Sequence, residues 1–381
     1  MSAHIYVIAG GPGSGKTTLL NYLKKDGQLN SFIPPKYSTR KKRDPKDDIV
    51  TIDDIDKEHY DFIYSMNENF YAFKIDDIVG ALKEGRNVFL ILSDIRVLQL
   101  IKAYFGEFLS IIYLYRNMSS TDLDLILDER QKNKLPISSA EKRIRGFRLY
   151  QIQRQYVENI SLFEHVILNS RDRPDEMVSQ LKNIVVNNNN DEYIVGQKGP
   201  VIFLIAAGPG AGKRTLNNAM YTLGKNSIIV IPKETNRGDR PNDGKEIVTN
   251  ISNAKSKYSI GYTFNDKDYG IDEKLIWNNL KYGLPQIVIT NMQQFPKFKK
   301  IFGTTIVNVY LHATRTREEL LQRQKEKEGS DEEAHKALVK VDETHQNYVD
   351  NIHNFHHVLL NTIEKEDLWE QMFRLIKHYS I

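Results

Sequence analysis

Two glycine-rich stretches constrain this chain more than anything else in it. The first, Gly10-Gly11-Pro12-Gly13-Ser14-Gly15-Lys16-Thr17-Thr18, follows the apolar run Ile5–Ala9 and precedes a helical pattern carried by Leu19, Leu20 and Leu23. The second, Gly208-Pro209-Gly210-Ala211-Gly212-Lys213-Arg214-Thr215, follows the apolar run Val201–Ala207, and its lysine lies 213 − 16 = 197 residues beyond the first. Other pairs keep nearly the same spacing. Arg40 and Arg43 match Arg237 and Arg240, Ile49-Val50-Thr51 matches Ile247-Val248-Thr249, and Lys83-Glu84-Gly85 matches Lys281-Tyr282-Gly283. Arg130-Gln131-Lys132 matches Arg323-Gln324-Lys325, and Val166-Ile167-Leu168-Asn169 matches Val358-Leu359-Leu360-Asn361. A near-constant offset over the whole length predicts a duplicated domain, not a chance pair of motifs. The polar, aperiodic run Asn187–Glu192 separates the copies. The expected organisation is therefore a domain over residues 1–187, a linker over 188–199 and a second domain over 200–381.

The first stretch satisfies the phosphate-loop pattern G-x4-G-K-[ST] at every position, between a strand-like and a helix-like segment. Glycines let the backbone curl until the N–H groups of Gly11, Gly13, Ser14 and Gly15 face a phosphate, and the positive end of the following helix adds to the attraction. Lys16 would reach the β- and γ-phosphates, the Thr17 hydroxyl would ligate Mg²⁺, and Thr18 completes the entry into the helix. The expected ligands are a nucleoside triphosphate, or something much like one, and Mg²⁺. In the second copy Gly208, Gly210, Gly212, Lys213 and Thr215 repeat the pattern, with Arg214 where Ser or Thr is required.

Each copy alternates continuous apolar runs with amphipathic patterns. After the loop come a basic segment, a second buried strand (Asn87–Leu92; Gln286–Thr290), a third (Leu109–Leu114; Thr305–Leu311), a long charged helical region and a late strand (His165–Leu168; His357–Leu360). That order predicts an α/β fold, a mostly parallel sheet with helices on both faces in each of two phosphate-loop domains. Ligands of such sheets sit at the carboxyl ends of the strands.

Composition removes several classes of function. A net charge of +4 among 27% charged residues is too mild to imply a nucleic-acid partner. The absence of cysteine excludes disulfides and Cys-ligated metals and fits a reducing, cytoplasmic setting. No apolar run approaches the ~18 residues of a membrane span, and Met1-Ser2-Ala3-His4 leads directly into an apolar run without a signal region. His353, His356 and His357 read as a solvent-facing helix end, not as metal ligands, and Trp277 and Trp369 read as core.

Arg40-Lys41-Lys42-Arg43 and Arg237-Gly238-Asp239-Arg240 stand at the same distance from their respective loops. Arginines three apart can converge on one phosphate, since planar guanidiniums bind its oxygens in pairs. With these in place the chain resembles the guanylate kinase family of nucleoside monophosphate kinases, once per copy. The resemblance implies transfer of the ATP γ-phosphate to a nucleoside monophosphate or similar phosphorylated acceptor. In the first copy it makes Arg40, Arg43 and Tyr71 the acceptor-phosphate ligands and Asp94 the acid that organises Mg²⁺ and acceptor. It makes Arg130 and Arg143 the lid arginines and places Asn169 beside the adenine. Where the family reads guanine with Glu and Ser, this copy has Tyr64 and Phe73, which cannot reproduce a carboxylate's paired bonds, so guanine specificity is not implied.

The second copy departs further. Asn291 stands in for Asp94, and Ala337 falls opposite Arg143, while Lys213, Arg237, Arg240, Tyr269 and Arg323 remain. Tyr262–Ile271 is also similar to the related ribose bisphosphate phosphokinases. The expectation is a kinase acting mainly through the first copy. The alternative is a guanylate kinase-like scaffold or regulatory protein with little or no catalysis.

Overall fold

The structure, a computed structural model, describes the chain apart from residues 1–2, 43–48, 67, 131–136, 171–172, 189–198, 225–226, 240–242, 265, 329, 363 and 381. It divides into two compact units, Met1–Asp191 and Glu192–Ile381.

In chain order unit 1 runs β1 (Ile5–Ala9), α1 (Lys16–Leu23), β2 (Ser31–Phe32), β3 (Lys36–Ser38), β4 (Ile49–Thr51), β5 (Tyr64–Met66), β6 (Asn69–Ala72) and α2 (Ile75–Lys83). It continues through β7 (Asn87–Ile91), α3 (Ile95–Phe105), β8 (Leu109–Tyr115), α4 (Ser120–Arg130), α5 (Ser139–Glu158), β9 (His165–Leu168) and α6 (Pro174–Asn187). Its main sheet is five-stranded in the order β2-β7-β1-β8-β9, with every pairing parallel. All residues of β1, β8 and β9 are buried, which is why these strands read as nearly continuous apolar runs, broken by Ser110 and His165, and not as alternations. Because β1 is central, the loop that follows it opens at the carboxyl edge of the sheet.

Unit 2 comprises β10 (Ile202–Ala207), α7 (Lys213–Leu223), β11 (Ile229–Val230), β12 (Lys233–Thr235), β13 (Ile247–Val248), α8 (Ala254–Lys257), β14 (Ile260–Phe264), β15 (Lys267–Ile271) and α9 (Glu273–Lys281). It ends with β16 (Gln286–Ile289), α10 (Phe295–Phe302), β17 (Ile306–Ala313), α11 (Arg317–Glu328), α12 (Asp331–Asp350), β18 (His357–Asn361) and α13 (Lys365–Ser380). Its main sheet, β11-β16-β10-β17-β18, is again five-stranded and parallel throughout. The fold is thus α/β, with two parallel sheets and their helices.

Each unit also carries a four-stranded sheet that the sequence reading leaves as a basic segment, β4-β3-β6-β5 and β13-β12-β15-β14. Their antiparallel ladders bring Ser38 opposite Tyr71 and Thr235 opposite Tyr269.

Packing details recur between the units. Tyr113 stacks on Tyr156 with ring centroids 4.4 Å apart, and Phe163 meets Tyr113 edge-on at 5.5 Å. Tyr310, Tyr348 and Phe355 repeat this at 4.2 and 5.8 Å. Both edge strands lean on a buried glutamine. Gln180 exchanges two 2.9 Å bonds with the backbone N–H and C=O of Leu168, and Gln371 does the same with Leu360.

Helix starts correct the register expected for the charged region. α4 and α11 begin 317 − 120 = 197 residues apart, and Leu123 and Leu320 take the same place beside Gly13 and Gly210. The caps of α5 and α12 lie 330 − 138 = 192 apart; the Ser138 and Ser330 hydroxyls each accept the N–H three residues on, at 3.2 Å. The shortening therefore falls between the two helices. Arg323 is level with Ile126, not Arg130, and Arg143 is level with His335, not Ala337.

Two further expectations fail. His357 is buried, its Nε2 2.9 Å from the Tyr379 hydroxyl, and His356 Nδ1 accepts the Asn308 N–H at 2.8 Å. The apolar late strand draws them inward. Trp277 is 41% exposed, leaning on Phe302 at 5.0 Å, since α9 covers its neighbours with only one face. Among the described residues, no helix is long and apolar enough to cross a membrane.

Candidate functional site

Unit 1 gathers its polar groups where β1 ends. The turn from strand to helix requires left-handed backbone at Gly13 (φ 77°) and Gly15 (φ 111°). At Gly15 a side chain is doubly barred, because a Cβ there would stand 2.6 Å from the Asn169 amide nitrogen. Lys16 folds over the curled loop, its ammonium donating to the carbonyls of Gly10 and Gly11 at 2.7 Å each. Ser14 is buried beneath, while Thr17 and Thr18 face out from the first turn of α1. Gly11 closes the turn by accepting the Ser14 N–H at 3.3 Å.

Three side chains that hold this loop come from the ends of neighbouring strands. Asn169, just past β9, donates its amide to the Ser14 carbonyl at 2.5 Å. Ser93, just past β7, accepts from the Gly10 N–H and donates to the Gly10 carbonyl, both at 3.2 Å. Arg116, just past β8, donates to the Gly13 carbonyl at 3.1 Å. The sequence reading misses Ser93 and Arg116. Their only signal is position, one or two residues beyond a buried strand on either side of the loop-bearing one.

Arg40 and Tyr71 meet in the small sheet, Arg40 Nε donating to the Tyr71 hydroxyl at 3.1 Å. Tyr71 is buried and stacked on Tyr64 with centroids 5.2 Å apart. Phe73 is 1% exposed and belongs to the core, so it presents no face to a base. Beside it lies Lys36, also buried, its ammonium 6.0 Å from the Phe73 ring. Arg43 lies outside the described residues.

Asp94 caps α3. One carboxylate oxygen accepts the N–H groups of Arg96 and Val97 at 3.1 and 3.3 Å, and the other pairs with the Arg96 guanidinium at 3.3 Å. Its acidity thus has a structural use at the helix N-terminus. Arg130 is the last residue of α4, and Arg143 is exposed on α5. The helices bearing them are tied by an ion pair between Lys142 and Asp128 at 2.6 Å.

Unit 2 repeats the loop and part of its surroundings. Gly210 and Gly212 are again left-handed (φ 75° and 108°). Lys213 donates to the carbonyls of Ala207 and Gly208 at 3.1 and 2.7 Å, and Asn361 ties down the Ala211 carbonyl at 2.8 Å. Arg214 and Thr215 follow in the first turn of α7. Asn291 makes no side-chain cap, and both of its amide atoms are buried without a hydrogen-bond partner among the described residues.

The arginine beside the small sheet, Arg237, is bound tightly within the unit. Arg237 is 8% exposed and gives both terminal nitrogens to Asp243, at 2.8 and 2.6 Å. The Asp243 carboxylate raises its pKa, and the Tyr269 hydroxyl adds to this. Tyr269 stacks on Tyr262 at 5.4 Å, and Lys233 lies 5.6 Å over its ring. Burial pushes the Lys233 ammonium down to about 8, with Glu246 opposing the shift and Arg237 adding to it. Arg240 lies outside the described residues.

A Thr17 hydroxyl at the outward first turn of α1 and the Asp94 carboxylate are hard oxygens, and Mg²⁺ takes most of its ligands from phosphates and water.

No protein-family model matches the sequence, and no curated protein matches it. Among solved structures, a guanylate kinase from Anaplasma phagocytophilum is similar at 14% identity and a TM-score of 0.36, over 48% of this chain and 88% of the other. The Pnkp1/Rnl/Hen1 RNA repair complex is similar at 11% identity and a TM-score of 0.25, over 81% of this chain and 88% of the other.

Proposed function

We propose that this chain is an ATP- and Mg²⁺-dependent phosphotransferase whose unit 1 moves the γ-phosphate to a nucleoside monophosphate or a similarly phosphorylated small molecule. We read residues 1–187 and 200–381 as two guanylate kinase-like phosphate-loop domains that arose by duplication, the second divergent, in a cytoplasmic protein. The observation that carries this reading is the loop of unit 1. Its curled backbone, with Lys16 held over it, stands at the carboxyl end of a central parallel strand.

In this mechanism the loop N–H groups and Lys16 hold the triphosphate, and Arg40, Arg43 and Tyr71 hold the acceptor's phosphate. Fixing both partners replaces a bimolecular encounter by an oriented one. Arg130 and Arg143 approach from α4 and α5 and offset charge on the transferring group while the lid excludes water. Bound Mg²⁺, held by Thr17 and Asp94, would offset negative charge on the phosphates. Asn169 and Ser93 keep the loop in shape.

Transfer of labelled phosphate from ATP to a panel of ribo- and deoxyribonucleoside monophosphates tests the reading. Activity toward at least one is expected, with Lys16→Ala lowering kcat/KM roughly 100-fold or more, the scale of losing one phosphate-stabilising group. A folded chain that transfers to none of them overturns it. The bidentate Arg237–Asp243 pair favours a second reading for unit 2 alone, as a nucleotide-binding or regulatory unit with little transfer of its own. Deleting residues 200–381 would then change the rate of unit 1 without abolishing its nucleotide binding.

A further inference from the structure

Arg40 and Arg237 hold equivalent places, each just past a strand of the small sheet and each near a buried or partly buried tyrosine on the neighbouring strand. Arg40 gives Nε to the Tyr71 hydroxyl and one terminal nitrogen to the Lys41 carbonyl at 3.2 Å. Arg237 likewise gives a terminal nitrogen to the carbonyl of the next residue, Gly238, at 3.0 Å. Arg237 presents both terminal nitrogens to one carboxylate, in the fork geometry by which a guanidinium grips two oxygens of a phosphate.

We propose that Asp243 is a built-in substitute for the acceptor's phosphate in unit 2, so that this unit takes a nucleoside triphosphate at its loop but rejects phosphate-bearing acceptors at Arg237. The inference rests on reading Arg237 as the counterpart of the acceptor-binding arginine. A carboxylate and a phosphate compete for the same two donors. With Asp243 in place, an incoming phosphate meets a guanidinium already neutralised and a negative charge beside it. A guanidinium already paired with an internal carboxylate keeps little net attraction for a dianion.

Equilibrium dialysis of the full chain against labelled inorganic phosphate tests the proposal. Asp243→Asn, which keeps the side chain's size and removes its charge, should bind one more phosphate per chain than the wild type. Adding Arg237→Ala should erase that gain. A folded Asp243→Asn chain that binds no more phosphate than wild type overturns the proposal. If Asp243→Asn does not fold, Arg237→Ala/Asp243→Ala, which removes both charges of the pair, provides the comparison. It should bind as many phosphates as wild type, and the loss of one would show that Arg237 already serves a phosphate in the unmodified chain. Transfer by unit 1 is read in a separate assay, so its failure is distinguishable from the failure of this gain.

Discussion

The Asn169 amide spends its hydrogen bond on the Ser14 carbonyl, inside the turn that would receive a phosphate. Gly15 makes room for that amide and also adopts a left-handed backbone at φ 111°. Gly15→Ala introduces a Cβ with no space and a disfavoured φ together. It should destabilise unit 1 by about 1–3 kcal/mol, read from urea unfolding, and should weaken ATP binding in proportion to the displaced loop. The glycines, Lys16 and Thr17 were legible in the sequence because their spacing is itself the chemical requirement. Asn169 was legible as a strand end matched by Asn361, but its bond to the loop spans 155 residues, and no local pattern reports such a contact. Asp243 was missed for a related reason. One acid among several beside Arg237 becomes informative only when both of its oxygens are seen on the guanidinium.

Among elements, the buried strands read correctly and the short ones did not. β1 and β8 are buried throughout, so hydrophobicity alone marks them. β3 reads Lys36-Tyr37-Ser38 with only Tyr37 outside the buried set, and no apolar period identifies it. The charged helices α4, α5, α11 and α12 were recognisable as helical, but their register was not. A five-residue difference in offset falls between two charged helices whose solvent faces accept many alignments, and the capping serines resolve it. The edge strands offer a test at this scale. Gln371 satisfies the N–H and C=O of Leu360 from a fully buried position. Gln371→Leu leaves both groups unpaired and should cost unit 2 about 2–4 kcal/mol, the sum expected for two stranded backbone groups. Gln371→Glu keeps an acceptor for the N–H but buries a carboxylate against the Leu360 and Asp367 carbonyls, and should cost at least as much. Denaturant unfolding followed by tryptophan emission reads unit 2 selectively, because Trp277 and Trp369 are the chain's two tryptophans.

Over the whole molecule, the two units should respond differently to acid. Burial lowers His4 in unit 1 to about 4, with Lys102 contributing. In unit 2 burial lowers His312 to about 3, helped by His345, and His356 to about 4, helped by Lys299. A histidine whose folded pKa is depressed favours the fold in its neutral form. Its contribution is full above the unfolded value of about 6.5 and is lost as pH falls toward about 4 or 3. Each such group contributes a slope of up to about 1.4 kcal/mol per pH unit. From these three histidines alone, two in unit 2 and one in unit 1, tryptophan-detected urea midpoints should fall more steeply between pH 6.5 and 4.5 than the unit 1 transition followed by hydrogen exchange. Equal slopes would assign the acid response to other groups. A different property follows from the way Lys16 and Lys213 rest on their own loop carbonyls. Each loop is curled, with its cation in place, before a ligand arrives. If the proposed function holds, nucleotide capture would exchange existing bonds for new ones and order little additional chain, so encounter rather than rearrangement of the loop should set how fast a nucleotide is taken up.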